Sequence, residues 1–172
     1  ITLMHRQSPQ AFDRSHAMLS HLVERHPRLA APRAWLGKWH VLRVAQGWSV
    51  DATREAQQAH AVVARALEAE PEHPLALAVD GLVCAYVQKD LKAAGERYGQ
   101  ALEASPSETL AWLFKSALHA YQGEGAQAGQ AADRALSLSP LDPMRYYYLT
   151  FAATAQLAAG DYARALTLAQ QS

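Results

Sequence analysis

Eight histidines are the first side chains that invite a chemical reading, and His16, His21 and His26 form the densest group. Metal binding would require their imidazoles to converge on one point. A spacing of five turns each by about 140° around an α-helix, so the three fan outward and read as solvated side chains. Gly123 and Gly125 in QGEGAQAG resemble a phosphate loop only superficially, because no strand precedes them and no lysine accompanies them. Ser, His and Asp are plentiful, but no recognisable nucleophile motif joins them. The expectation is a chain with no catalytic residue, no metal site and no cofactor. Cys84 is the only cysteine, which precludes an internal disulfide. Four tryptophans remain. Trp35 and Trp39 share a helix face and read as core, Trp48 reads as a plug between the first helices, and Trp112 reads as packing within its own segment.

Whatever these residues do, helices must position them. Half of the 172 residues are hydrophobic and 36 are alanine, the best helix former and the smallest side chain for close helix contact. Nothing alternates with period two, so no strand is expected. Punctuation by Pro, Gly and capping residues predicts about nine helices. Ser8 and Pro9 open the first, and the second runs from about Pro32 to Gln46. Asp51 caps a third that ends at Pro71, and the others span 74–88, 90–104, 107–122, 125–138, 143–159 and 161–171. Asp142 and Pro143 read as cap and first-turn residue of the eighth.

Sixteen basic and sixteen acidic residues cancel, which argues against a chain held on nucleic acid or an anionic membrane by its overall field. The balance is uneven: residues 1–50 carry seven Lys/Arg against Asp13 and Glu24, and the remainder carries nine against fourteen. The head charges are spread over several turns and read as solvated faces, with partner docking the alternative. No apolar run approaches the roughly 18 residues needed to span a bilayer. Starting at Ile1 and stopping at Ser172 within a helical pattern, the chain reads as a piece of a longer protein.

Three segments end alike: RALEAEP at 65–71, QALEASP at 100–106 and RALSLSP at 134–140. The stripe Leu75, Ala78, Val79, Leu82, Val83, Tyr86 has the spacing of a buried helix face. Shifted by 35, it falls on Leu110, Leu113, Phe114, Ala117, Leu118 and Tyr121, apolar throughout. The second helices superpose with a shift of 34, Ala94 on Ala128, Ala101 on Ala135 and Pro106 on Pro140, so one residue is lost from the turn after Tyr121.

A proline-closed helix–turn–helix unit of about 34 residues resembles the tetratricopeptide repeat (TPR). Trp112, Ser116, Ala128, Ala135 and Pro140 occupy that family's positions in one unit, Leu77, Gly81, Ala94, Tyr98, Ala101 and Pro106 in the unit before, and GDYARAL at 160–166 resembles its turn into a second helix. The resemblance implies an all-α, right-handed superhelix of antiparallel helix pairs over 32–172, the last repeat truncated, with 1–31 an N-terminal cap or linker. QGWSVD, SPLDPMRYYYLT and AAGDYARAL resemble, more narrowly, TPR regions of bacterial class III nucleotide cyclases and winged-helix transcriptional regulators. That likeness implies a cytoplasmic regulatory module.

Such a module would be a non-enzymatic scaffold whose concave groove holds a protein, a peptide or another domain of its parent chain, with no direct nucleic-acid or membrane contact. Trp112, Lys115 and His119 are the candidate docking side chains, since Lys115 and His119 project away from the stripe, and a shift of 35 puts Asp80 at the place of Lys115. Simple exposure to solvent would account for them equally. A small-ligand sensor and a structural or homo-oligomerising module are the alternatives.

Overall fold

Helix-favouring composition and regular caps produce helices throughout a computed structural model that describes residues 1–6, 8–140, 142 and 144–172. A short 3₁₀ turn, Thr2–His5, precedes α1 (Pro9–Arg25), α2 (Ala30–Ala45), α3 (Ala52–Ala69), α4 (Pro74–Val83), α5 (Leu91–Ala104), α6 (Thr109–Tyr121), α7 (Gly125–Leu138), α8 (Arg145–Ala158) and α9 (Tyr162–Gln171). These nine α-helices, the 3₁₀ turn and one π turn, with no strand, make up the regular structure among the described residues. Caps account for the starts: Ser8 accepts from the Ala11 amide, Asp51 from Arg54, Asp90 from Ala93 and Asp161 from Arg164. Leu141 and Pro143, expected at the entry to α8, lie outside the described residues. That helix starts at Arg145, later than anticipated, because the Asp142 carboxylate is taken up by the Met144 amide at 2.7 Å in the turn before it.

The chain divides into two compact units, Ile1–Ala104 and Ser105–Ser172. In the first, α2 pairs with α3 and α4 with α5, α4 also lies against α2 and α3, and α1 packs on α2. The segment 1–31 is therefore packed, through Met4, Phe12 and Leu19, onto Leu36, Trp39 and Leu42. In the second unit α6 pairs with α7 and α8 with α9, and α8 contacts both α6 and α7. Each unit is thus a stack of antiparallel helix pairs, the arrangement the repeat requires because one pair alone cannot bury its apolar stripe.

The small repeat positions are set by close approach. Any Cβ at Gly37 would collide with Val63, and any at Gly81 with the Tyr98 ring. Ala59, Ala94, Ala128 and Ala135 are completely buried where helices cross. The stripe of α6 is buried from Leu110 to Leu118, but Tyr121 is 60% exposed, a departure from the expected apolar face. Helix α6 ends there, and Gln122–Gly123 turns the chain away before anything can cover the ring.

The mismatch of shifts has a structural cause. The extra residue of the α4–α5 unit is taken into a π-helical turn, Cys84–Gln88, as one-residue insertions into helices commonly are. The Asp90 amide consequently reaches back six residues to Cys84 O, whereas Glu124 reaches back five to His119 O and Asp161 five to Gln156 O. The left-handed residue closing each first helix is Gly47, Gly123 or Gly160 in three pairs and Lys89, at φ 59°, in the fourth.

Candidate functional site

Trp112 and Lys115 lie one turn apart on α6, and the structure brings them together. The half-buried indole donates its Nε1–H to Pro106 O at 2.9 Å, and the Lys115 ammonium stands 5.7 Å from the centre of the ring. Both groups are outside the apolar stripe. The proline that closes one repeat thus fixes the tryptophan that opens the next, leaving a cation over the aromatic face.

His119 is placed differently from a free docking group. Its Nδ1 lies 2.5 Å from the Glu124 carboxylate, across the turn between α6 and α7. Asp80, in the other unit, forms an ion pair with Arg97 of α5 at 2.7 Å. It lines a cleft between α3 and α5 together with Cys84, His60 and Glu96. Burial pushes the Asp80 carboxyl up from its ordinary range, outweighing the neighbouring Arg97 guanidinium, and burial likewise pushes the Cys84 thiol up.

Counting three residues from the small position of each first helix reaches His40 from Gly37, Cys84 from Gly81 and His119 from Ser116. Counting four back from the small alanine of each second helix reaches Glu55, Asp90 and Glu124. His40 and Glu55 are bonded in the first pair as His119 and Glu124 are in the third, again at 2.5 Å. Glu55 is buried, and its second oxygen accepts from Arg43 at 3.1 Å. A buried carboxylate with two cationic or hydrogen-bonding partners is a fixed structural group. This His40–Glu55–Arg43 cluster was not picked out from the sequence, since only the repeat frame links residues fifteen apart; Glu55 standing at the place of Asp90 and Glu124 was the available signal.

His16 does not point freely into solvent as its spacing suggested. It packs against Trp39, centroids 4.4 Å apart, and lies edge-on to His40 at 5.8 Å. Desolvation, and then the nearby His40, lower its pKa. The reason is tertiary: α1 lies across α2, which turns His16 inward while His21 and His26 remain exposed. Among the described residues no group of three or more His, Cys, Asp or Glu side chains could hold a metal ion. Trp39 is core, 1% exposed, with its Nε1–H donated to Phe12 O. Trp35 is half-buried under the Lys38 ammonium, and Trp48 meets Phe12 edge-on at 5.1 Å.

No protein-family model matches the chain, and no curated protein sequence matches it. Solved structures do. A thermophilic TPR protein of Thermus thermophilus superposes with a TM-score of 0.65 at 16% identity, over 92% of this chain and 80% of that one. A MamA fragment from Desulfovibrio magneticus RS-1 gives 0.55 at 16% identity, over 94% and 83%. YrrB, described as a TPR protein with an unusual peptide-binding site, gives 0.52 at 17% identity, over 92% and 75%. At these identities the likeness is one of fold: the helix pairs of this chain adopt the TPR arrangement.

Proposed function

We propose that the chain is a non-enzymatic protein-interaction scaffold and that α6 carries one of its docking faces, through Trp112 and Lys115 with His119 behind them. The observation that supports this most directly is the held indole. A tryptophan anchored at Pro106 O and covered by a lysine is a rigid, amphipathic contact of the kind concentrated in binding hot spots. His119 serves that face indirectly, because its bond to Glu124 ties the end of α6 to the start of α7. Asp80 is the corresponding place on α4 and is paired with Arg97, so equivalent places of the repeat frame carry different chemistry. The narrower reading, drawn from the QGWSVD and SPLDPMRYYYLT likenesses, is the cytoplasmic regulatory module of a larger bacterial signalling protein or transcriptional regulator. Its partner is a protein, a peptide or another domain of the same parent.

Lys115→Glu tests the docking face. The melting temperature should stay nearly unchanged, because the ammonium is outside the stripe, while a partner captured by the wild-type chain from lysate of the source cells should be lost. Undiminished capture by a well-folded variant would move the docking face elsewhere.

A further inference from the structure

A second surface is built into the first unit. Helices α1 and α3 leave a cleft of about 500 Å³ between them, floored by the end of α2. Its base is rigid: Trp39 stacks on Phe12 at 4.6 Å and is bonded to Phe12 O, and the carboxylate of Glu55 is held by His40 and Arg43. Its wall on α3 carries Arg54 and Arg65. Both are exposed, and neither enters an ion pair among the described residues. Asp51, beside them, is occupied as the cap of α3, so the two acids of the cleft are already satisfied and the two arginines are not.

The cleft also coincides with the largest departure from the repeat frame. From Gly123 to Glu124 and from Gly160 to Asp161 the step is one residue, whereas from Gly47 to Glu55 it is eight. The added residues supply Val50, Asp51 and an extra first turn of α3 with Arg54. Val50 is 100% exposed on the rim, an apolar side chain left bare by an insertion the other pairs lack. The insertion supplies one packing residue, Trp48 against Phe12, and beyond that it places an arginine and an uncovered valine on the cleft.

The geometry points to an acidic peptide segment as the occupant, seated along α3 with carboxylates at Arg54 and Arg65 and an apolar side chain against Val50. The two arginines are eleven residues apart, about 16 Å along a helix. A single small anion cannot bridge that distance, whereas about five residues of extended peptide can. This surface is separate from the α6 face and stands or falls without it.

The test is fluorescence polarisation of the full chain with a panel of labelled nonapeptides, each carrying two acidic residues about five positions apart and an apolar residue beyond one of them, against the same panel with lysine in place of the acids. The acidic panel should contain binders, and the lysine panel none. Arg54→Glu with Arg65→Glu should weaken the best acidic binder about tenfold or more at an unchanged melting temperature, while Lys115→Glu should leave that affinity alone. In NMR spectra the bound peptide should shift the indole signal of Trp39, at the floor of the cleft, and not that of Trp112. The proposal is overturned if no acidic peptide binds, if charge reversal leaves affinity intact, if the shifts fall on Trp112, or if free succinate binds as tightly as the peptides.

Discussion

Where α1 lies on α2 in the first unit, the space between helices is filled by Met4, Phe12, Trp39 and Leu42, with Trp35 and Trp48 at the edges. Between α7 and α8 of the second it is filled by Ala128, Ala132, Ala152 and Ala155. Both fillings serve stacked helices, but they impose opposite constraints. Large aromatic side chains hold helices apart and make the separation depend on each ring, whereas alanines let backbones approach until there is no room for another methyl. The wide packing leaves space for a polar group inside the first unit, where Lys38, His40 and Glu55 are buried. It also leaves the α1–α3 cleft open above Trp39. Among the described residues of the second unit the buried polar groups are Ser116, which satisfies itself on Leu113 O, and Gln156.

The contrast is broken most directly by exchanging the two kinds of residue. Trp39→Ala should cost about 3 to 5 kcal/mol, the usual range for removing a buried large aromatic, and should also free its hydrogen bond to Phe12 O. At the alanine positions of α7 enlargement should do the damage: Ala135→Leu should cost about 1 to 3 kcal/mol, while Ala126→Leu, on the exposed side of α7, should stay within about 0.5 kcal/mol. Urea unfolding of the four chains measures all of this. Equal midpoints for the two leucine variants would refute the repeat phase itself.

A smaller difference separates the turns. Gly160 holds φ 79° without strain, so Gly160→Ala should destabilise by about 1 kcal/mol. Lys89 holds φ 59° with a side chain, and Lys89→Gly should stabilise by a few tenths to about 1 kcal/mol. Thermal unfolding should move the two variants in opposite directions; a Lys89→Gly variant less stable than wild type would mean that the lysine side chain has a role in the π turn.

The smallest effect concerns pH at the N-terminus. Burial, then the Lys38 ammonium, lower the His5 pKa from 6.5 to about 3. Its folded value lies below its unfolded one, so the unfolded chain takes up a proton that the folded chain refuses. The contribution to stability is complete above pH 6.5 and is lost as pH falls toward 3. Because His5 ends a four-residue turn that can open locally, the loss should register first as exchange of the Thr2–His5 amides. His5→Gln should flatten this dependence; amide exchange followed from pH 7 to pH 4 that kept the wild-type slope in the variant would refute it.

The sequence by itself determined the elements of the structure that depend on local chemistry. The spacing of Pro71, Pro106 and Pro140, the caps at Ser8, Asp51 and Asp161, and the small residues Gly81, Ala94 and Ala135 each act within a turn or two. The helices, their pairing and the core phase of α4 and α6 could therefore be read directly. Trp112 and Lys115 were legible for the same reason, being neighbours on one helix face. Tertiary structure decided what depends on groups distant in sequence. Crossing of α1 over α2 turned His16 onto Trp39, and pairing of α2 with α3 joined His40 to Glu55. Antiparallel return of α5 gave Asp80 its partner in Arg97. The α1–α3 cleft belongs to the same class, since the angle at which two helices diverge follows from the volumes packed between them, and no single helix carries that information.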